Sequence, residues 1–260
     1  MLGAWNSETK TMTTKPDYGN WVSKRIIYTP AVVGFMLCML GLLYSVLLIP
    51  AVFFLLVSAY FAYARVLFAG KRNVQGRIVG LVLSHLDWSG EGRALDIGCG
   101  SAALTLKFAE RYPTAQVVGV DSWSGNWEYS KEMCERNAKI EGVTGRVTFQ
   151  KASASALPFG DGYFDAVVSN LVFHEVRDSA DKREVVREAL RVLKKGGKFS
   201  FQDLFLLRHV YGDIGDFLAT IQRWGISRVE FVETRKASFI PLMLRLPFMV
   251  GRIGIIAGEK

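Results

Sequence analysis

Residues 94–104, ALDIGCGSAAL, predict a short buried strand, a glycine-rich turn and the first turn of a helix. Gly98 and Gly100 allow backbone N–H groups and a helix N-terminus to come close to a polar ligand. A second apolar strand at 116–120 ends in Asp121, whose carboxylate can accept hydrogen bonds from ribose hydroxyls. This spacing predicts a site for a nucleoside-containing cofactor.

Strand and helix patterns alternate from residue 93 onward, after a helix predicted at 73–88. Strands are predicted at 93–97, 116–120, 146–150, 164–169, 198–202, 227–233 and 251–257. Helices are predicted at 102–111, at 127–140 with Asn126 as N-cap, at 182–193 and at 212–224. The alternation predicts an α/β fold, a mainly parallel sheet with helices on both faces and a ligand site at the carboxyl ends of its strands.

Three features favour a sulfonium cofactor over a dinucleotide. Asp96 lies two residues before Gly98, where a carboxylate can bind a cationic amino-acid group but would repel a pyrophosphate. Two further segments follow in order, ALPFGDGYFDAVVS at 156–169 and LRVLKKGG at 190–197. On these residues, residues 74–260 resemble the class I S-adenosylmethionine-dependent methyltransferases, especially those that act on small molecules and lipids.

The resemblance implies a Rossmann-like seven-stranded sheet whose last strand runs antiparallel to the others. It also implies that the turn at 96–102 holds the methionine part of S-adenosylmethionine, that Asp121 holds the ribose and that Trp123 covers the adenine. The cofactor-binding residues implied are Asp96, Gly98, Cys99, Gly100, Ala102, Asp121, Ser122, Trp123, Ser153, Ala154, Asn170 and Leu171.

Two residues depart from the pattern of these methyltransferases. Ala102 stands where a third glycine is usual, and an alanine fits there if its φ is negative. Ser153, followed by Ala154, stands where an aspartate usually binds the adenine amino group, and its hydroxyl can still hydrogen-bond without a charge. Both departures could weaken cofactor binding.

His174 is the best candidate for a catalytic base. It follows the strand at 164–169 within SNLVFHEV, where an acceptor must approach, and the pKa of histidine suits proton transfer near neutral pH. The alternative is that His174 packs against or caps the next helix. Asp203, at the end of a strand, and Tyr211 are further candidates for the substrate pocket. No cluster of residues suggests a metal site.

Two apolar runs, 31–49 and 51–68, precede the α/β domain and are separated by Pro50. Each run is close to the roughly 20 residues that span a bilayer as a helix. We therefore expect a transmembrane hairpin at 26–70 that turns near Ile49 and Pro50; a single kinked span and a re-entrant hairpin are alternatives. Because basic residues flank both outer ends (Lys24, Arg25, Lys71 and Arg72), the methyltransferase domain at 73–260 is expected in the cytoplasm.

The polar residues 1–25 are expected to form a loose tail. Residues 238–249 are mostly apolar and contain two prolines, which predicts an insertion that lies on the bilayer near the substrate entrance, or else a packed loop. Of the net charge of +8, residues 1–77 carry +6, so the folded domain is not strongly basic and nucleic-acid binding is not expected. The three scattered cysteines argue against a disulfide framework.

Together these patterns predict a membrane-anchored methyltransferase that uses S-adenosylmethionine and acts on a lipid or another apolar small molecule. Two alternatives remain open: methylation of a membrane protein, and a membrane module that binds S-adenosylmethionine without catalysis. The acceptor atom and the oligomeric state cannot be deduced from the sequence.

Overall fold

The glycine-rich turn follows β1 (Arg93–Ile97), which lies inside a seven-stranded sheet. The computed structural model describes residues 15–124 and 129–260. The other strands are β2 (Gln116–Asp121), β3 (Val147–Lys151), β4 (Phe164–Asn170), β5 (Leu193–Asp203), β6 (Arg228–Glu233) and β7 (Gly254–Glu259). Their order is β3-β2-β1-β4-β5-β7-β6, and β7 is antiparallel to both neighbours, which confirms the predicted Rossmann-like sheet.

Helices cover both faces of this sheet. The domain helices are α3 (Val74–Ser84), α4 (Ala103–Arg111), α5 (Lys131–Ile140), α6 (Lys182–Arg191), α7 (Arg208–Tyr211) and α8 (Ile214–Arg223). One hydrophobic core lies beneath α6, α7 and α8, and a second lies beneath α3, α4 and α5. Because β1, β2 and β4 all end at the same edge of the sheet, the loops that follow them meet there.

Several predicted boundaries are wrong: the helix predicted at 73–88 ends at Ser84, and the last strand, predicted at 251–257, is Gly254–Glu259. Local contacts explain two others. The helix predicted at 127–140 begins at Lys131, where the Ser130 hydroxyl accepts a hydrogen bond from the backbone N–H of Met133; Asn126 and Trp127 lie outside the described residues. The helix predicted to continue to residue 193 ends at Arg191. β5 then begins before the glycine pair, because Leu193 pairs with Phe164 across an irregularity in the β4–β5 ladder.

The apolar N-terminal runs form two packed helices, α1 (Lys24–Gly41) and α2 (Leu48–Ala69). Ser58 donates to the carbonyl of Ile27, and a Cβ on Gly34 would lie 2.9 Å from Leu55, so the helices pack closely and antiparallel. By length and composition alone, α1 and the stretch Ser45–Ala69 could each cross a membrane.

The turn between the two helices is not where the sequence predicted it. It lies at residues 42–44, before a short 3₁₀ turn at Ser45–Leu47, and Pro50 is inside the first turn of α2. Proline is tolerated there because the first N–H groups of a helix have no acceptor within the helix.

The base of this helix pair is part of the folded domain. A third hydrophobic cluster joins the end of α2 to α3 and to residues 240–253; its buried members are Val22, Ala64, Leu67, Phe68, Val74, Ile78, Ile240, Leu244, Val250 and Ile253. Trp21 and Val22 also pack in this cluster, and Tyr18 packs against the core beneath α3, α4 and α5. These contacts correct the expectation of a loose tail for residues 17–22. Asn137 exchanges two hydrogen bonds with the backbone of Asp17, and the side chain of Gln75 accepts one from the N–H of Trp21.

Candidate active site

The glycine-rich turn is anchored by backbone hydrogen bonds and leaves no room for a side chain at Gly98. Gly98 has a φ of +70°, and a Cβ there would lie 2.1 Å from a methyl group of Val172. The N–H groups of Gly98 and Cys99 both donate to the carbonyl of Val120, at 2.7 and 3.0 Å, which anchors the turn to the end of β2. The turn is therefore a tight cradle whose shape requires glycine at position 98.

Asp121 closes the same turn from the neighbouring strand. One carboxylate oxygen accepts the N–H of Gly100 at 2.9 Å, and the other accepts the N–H of Trp123 at 2.7 Å. The indole of Trp123 in turn donates to the carbonyl of Gly100 at 3.0 Å. Each carboxylate oxygen keeps a lone pair, so Asp121 can still accept bonds from ribose hydroxyls.

Asp96 is buried beneath the turn and accepts a 2.6 Å hydrogen bond from the Thr105 hydroxyl. Burial raises the pKa of Asp96 to about 7, the Thr105 bond opposes that rise, and the charge of Asp121 adds to it. A cationic ligand group would favour the ionised form. Asp96 thus has the chemistry needed to hold the ammonium or sulfonium side of a cofactor.

Ala102 lies in the left-handed region, with a φ of +70°, directly before α4. The condition for an unstrained alanine, a negative φ, is therefore not met. Its N–H donates to the carbonyl of Cys99 at 2.7 Å, and this tight turn sets the backbone shape whatever residue is present. A left-handed alanine costs about 1–2 kcal/mol.

Ser153 is paired with a carboxylate that the sequence analysis missed. Its hydroxyl donates to Asp178 at 2.7 Å and contacts the Ser155 hydroxyl at 2.8 Å. Hydrogen bonds from the side chains of Ser153 and Ser155 lower the pKa of Asp178, so the carboxylate stays ionised. Asp178 lies 25 residues after Ser153, on the loop beyond β4, and no local pattern connects the two residues.

One cavity of about 570 Å³ collects these groups. Eleven of the twelve predicted cofactor residues line it; Ala102 does not, although its neighbours Ser101 and Ala103 do. At what we call the cofactor end, the lining includes Asp96, Gly98, Gly100, Asp121, Trp123, Ser153, Asn170 and Asp178. A volume of this size is ordinary for a small-molecule site.

His174 lines the same cavity and is held by Asp203. His174 Nδ1 lies 2.6 Å from Asp203 Oδ1, while Asp203 Oδ2 accepts the backbone N–H groups of Val172 and Phe173 at 3.0 and 2.8 Å. In this arrangement Nδ1 donates to the carboxylate, and Nε2, which lies 3.9 Å from Glu175 Oε1, is the nitrogen that can take a proton. Burial lowers the pKa of His174, but the hydrogen bond and charge of Asp203, with the charge of Glu175, outweigh this and raise it overall.

The two other predicted substrate residues do not line the cavity. Asp203 is fully buried at the end of β5 and acts on the site through His174. Tyr211 is also fully buried, stacked on Phe217 with ring centroids 5.8 Å apart in the core beneath α7 and α8. The prediction that Tyr211 is at the substrate entrance is therefore wrong, because its ring is needed to fill that core.

The opposite end of the cavity has a different composition. What we call the apolar end is lined by Trp21, Val22, Ile26, Phe61, Phe68, Phe248, Met249, Val250 and Ile253. These residues come from the segment before α1, from the bases of α1 and α2, and from the apolar stretch before β7. The sequence analysis placed only the stretch at 238–249, and with it Phe248 and Met249, near the substrate entrance; it did not predict the other seven.

The residues at the cofactor end fit S-adenosylmethionine. The side-chain oxygen of Asn170 is buried, faces no hydrogen-bond partner within residues 15–124 and 129–260, and belongs to a residue that lines the cavity. An unpaired buried acceptor is costly unless a ligand supplies a donor. Together with the Gly98 cradle, it indicates a polar ligand beside Asp96 and Asp121.

Comparison with known proteins agrees with this fit. Residues 95–201 match the family model described as a methyltransferase domain. The chain is 34% identical over 136 residues to the uncharacterized methyltransferase YcgJ of Bacillus subtilis, a match that covers 51% of this chain and 49% of the relative. It is 38% identical over 109 residues to the demethylmenaquinone methyltransferase of Thermus thermophilus, covering 41% and 44%. The chain spans about half the length of the curated relatives it matches.

Solved structures share the fold. Geranyl diphosphate C-methyltransferase from Streptomyces coelicolor, in complex with S-adenosyl-L-homocysteine, superposes with a TM-score of 0.57 at 14% identity, over 74% of this chain and 82% of the other. These findings support a class I S-adenosylmethionine-dependent methyltransferase domain with S-adenosylmethionine as its cofactor.

Proposed function

We propose that the protein is a membrane-anchored methyltransferase that transfers a methyl group from S-adenosylmethionine to an apolar small molecule or lipid at the cytoplasmic face of a bilayer. The observation that carries the proposal is one continuous cavity that is lined by the cofactor loop and His174 and, further along, by the base of the helix pair. The start of α1 and the end of α2 both adjoin the domain. Basic residues flank these two ends, as in a hairpin whose ends are cytoplasmic.

S-adenosylmethionine, when bound, supplies a methyl group on a positively charged sulfur that is readily displaced. The protein contributes binding, orientation and exclusion of water. Asp96 and the Gly98–Gly100 turn would hold the amino-acid part, and Asp121 the ribose. Asp178 would provide, through Ser153, the negative charge that Ser153 itself lacks near the adenine.

His174 would take the proton that the acceptor loses. Asp203 orients the ring and stabilises its charged form, and its own position is fixed by two backbone N–H groups of the loop that carries His174. This dyad favours an acceptor with an ionisable proton at the reacting atom. In this role Asp203 is a positioning residue and His174 the catalytic one.

Residues 238–249 would lie at the membrane surface beside the site. Ile240 and Leu244 are buried against the domain, while Leu242, Leu246 and Phe248 are exposed. An exposed apolar patch next to two apolar helices is the arrangement expected at a bilayer interface.

The departures from the methyltransferase pattern favour a second candidate, a membrane module that binds S-adenosylmethionine without catalysis. Ala102 is strained, and Ser153 stands where an aspartate is usual. Such changes are expected in a site that no longer has to support catalysis. Turnover distinguishes the two functions, because both bind the cofactor.

Calorimetry with S-adenosylmethionine, followed by a turnover assay, tests the proposal. We expect binding, and formation of S-adenosylhomocysteine when a lipid extract is added but not when an aqueous metabolite extract is added. Binding without turnover in either extract would favour the inactive module. Absence of binding would rule out both functions.

A further inference from the structure

Specific contacts between the domain and the helix pair form the wall of the apolar end of the cavity. The guanidinium of Arg65 on α2 donates to the carbonyl of Val22, and the rings of Trp21 and Phe68 lie 5.6 Å apart. On the other side, the Tyr60 hydroxyl donates to the carbonyl of Met243 at 2.7 Å. These contacts join three segments that are far apart in the sequence into one wall.

The charged residues that line the cavity are all at the cofactor end. They are Asp96 in β1, Asp121 at the end of β2, and Glu175, Arg177 and Asp178 on the loop after β4. Among the residues that the structure describes, none of those lining the apolar end is charged. A charged or strongly hydrated group would lose its hydration there without compensation, whereas a hydrocarbon would not.

The apolar end reaches the surface at the base of the two apolar helices. Ile26, in the first turn of α1, is 44% exposed, and Phe248 is 65% exposed, yet both line the cavity. Phe248 packs against Tyr60 and Phe61 of α2, with ring centroids 5.9 and 6.3 Å apart. A ligand could therefore pass between the bilayer and the cavity beside these residues without crossing water.

We propose that the apolar end binds the hydrocarbon chain of a membrane amphiphile whose polar head lies at His174. This inference rests on the proposed function, since it identifies the apolar acceptor as a molecule with a chain and a reactive head. The occupant is drawn from the bilayer, because the entrance lies at the base of two helices long and apolar enough to sit in it.

Photolabelling of the full chain in lipid nanodiscs tests the inference. The probe is dodecanol with a diazirine at its terminal carbon, added with S-adenosylhomocysteine, and the labelled residues are mapped by mass spectrometry. We expect label on Trp21 and Met249, and a fall of about tenfold when unlabelled dodecanol is present in about tenfold excess, as for any saturable site.

Phe53 is the internal control. It is 61% exposed in the N-terminal half of α2 and does not line the cavity. Label on Phe53 reports contact with the surrounding lipid phase, which dodecanol does not saturate, so it should not change.

A matched pair of variants locates the entrance. Ile26→Trp fills the cavity at its surface and should remove the competed part of the label on Met249. Tyr28→Trp introduces the same side chain two residues away, at a position that is 62% exposed and lies outside the cavity, and should leave the label as it is. Calorimetry with S-adenosylmethionine verifies that both variants keep a folded cofactor end.

Label confined to Phe53 in the wild type, or label on Trp21 and Met249 that excess dodecanol does not reduce, would overturn the chain site while leaving S-adenosylmethionine binding intact. Failure of the proposed function gives a different result. In that case the competed label persists, but no methyl group is transferred to any lipid extract.

Discussion

The two ends of the cavity are built by different physical means. The cofactor end consists of loops that follow parallel strands, and hydrogen bonds among Asp121, Gly100 and Trp123 fix its shape. The apolar end consists of side chains from segments more than 200 residues apart, held by hydrophobic packing. The two ends therefore depend on different residues, and each end can be perturbed separately.

The largest effect, on catalysis, is expected from His174, where the two ends of the cavity meet. His174→Ala should lower kcat by about a hundredfold or more, because general base catalysis contributes that much, while S-adenosylmethionine affinity stays the same. In the wild type, kcat/KM should rise with pH through a value above the ordinary pKa of histidine, since His174 must be neutral to accept a proton and its pKa is raised.

The pH dependence of kcat/KM also tests the positioning role of Asp203. Asp203→Asn removes the charge that raises the pKa of His174, so the rising limb of the pH profile should move to lower pH. An unchanged limb would contradict the role of Asp203. His209→Ala, on an exposed side chain outside the cavity, should change neither the rate nor the profile.

The next effect concerns the cofactor end alone. Gly98→Ala should weaken S-adenosylmethionine binding by about a hundredfold, or about 3 kcal/mol, because the new Cβ collides with Val172 and the turn must open. Gly142→Ala is the matched control, with a φ of +71° and no atom within 4 Å of the added Cβ. It should cost about 1–2 kcal/mol of stability and leave binding unchanged, as calorimetry and thermal unfolding can show.

Protonation of Asp96 should weaken binding at the same end. The pKa of Asp96 is raised to about 7 in the free protein, so at lower pH the carboxylate is neutral and attracts a cation less. We expect the Kd for S-adenosylmethionine to increase up to about tenfold per pH unit below pH 7, measured by calorimetry between about pH 5.5 and 8.5. Asp96→Asn should bind weakly at every pH in this range, and a wild-type Kd independent of pH would contradict the assignment.

A smaller effect is expected from the carboxylate that the sequence did not reveal. Asp178→Asn should weaken S-adenosylmethionine binding by about tenfold, the scale of one charge-assisted hydrogen bond. Ser153→Ala should weaken it by a similar factor. Because the two side chains share a hydrogen bond, the double variant should lose less than the product of the two single effects. If the loss of affinity in the double variant equals the product of the two single losses, Asp178 does not act through Ser153.

The smallest effect is expected at the strained alanine. Ala102→Gly relieves the left-handed strain but removes a buried methyl group and loosens the unfolded chain, so the free energy of unfolding should change by less than about 1 kcal/mol. Thermal unfolding measures this change. Cofactor affinity should change little, because Ala102 does not line the cavity. A gain in affinity of more than about tenfold would instead favour the inactive module.

The contrast between the two ends also explains what the sequence could predict. Asp96, Gly98 and Asp121 act through local turn geometry, so their spacing alone indicated the cofactor end, and the alternation of strands and helices indicated the sheet. Asp178 was missed because its partner Ser153 is 25 residues away. The turn between α1 and α2 was misplaced because Pro50 is compatible with a first helical turn. The packing of residues 17–22 depends on Asn137 and Gln75, which no local pattern connects to them.

The fate of the methyl group tests the central claim most directly. The full chain is incubated in native membranes with S-adenosylmethionine radiolabelled in its methyl group, and the products are separated into organic-extractable lipid and protein. We predict that label enters the lipid fraction with wild-type protein and Tyr28→Trp, and falls sharply with His174→Ala and Ile26→Trp. Label that remains in the protein fraction, or lipid label that His174→Ala leaves unchanged, would contradict methyl transfer to a membrane-borne acceptor in this cavity.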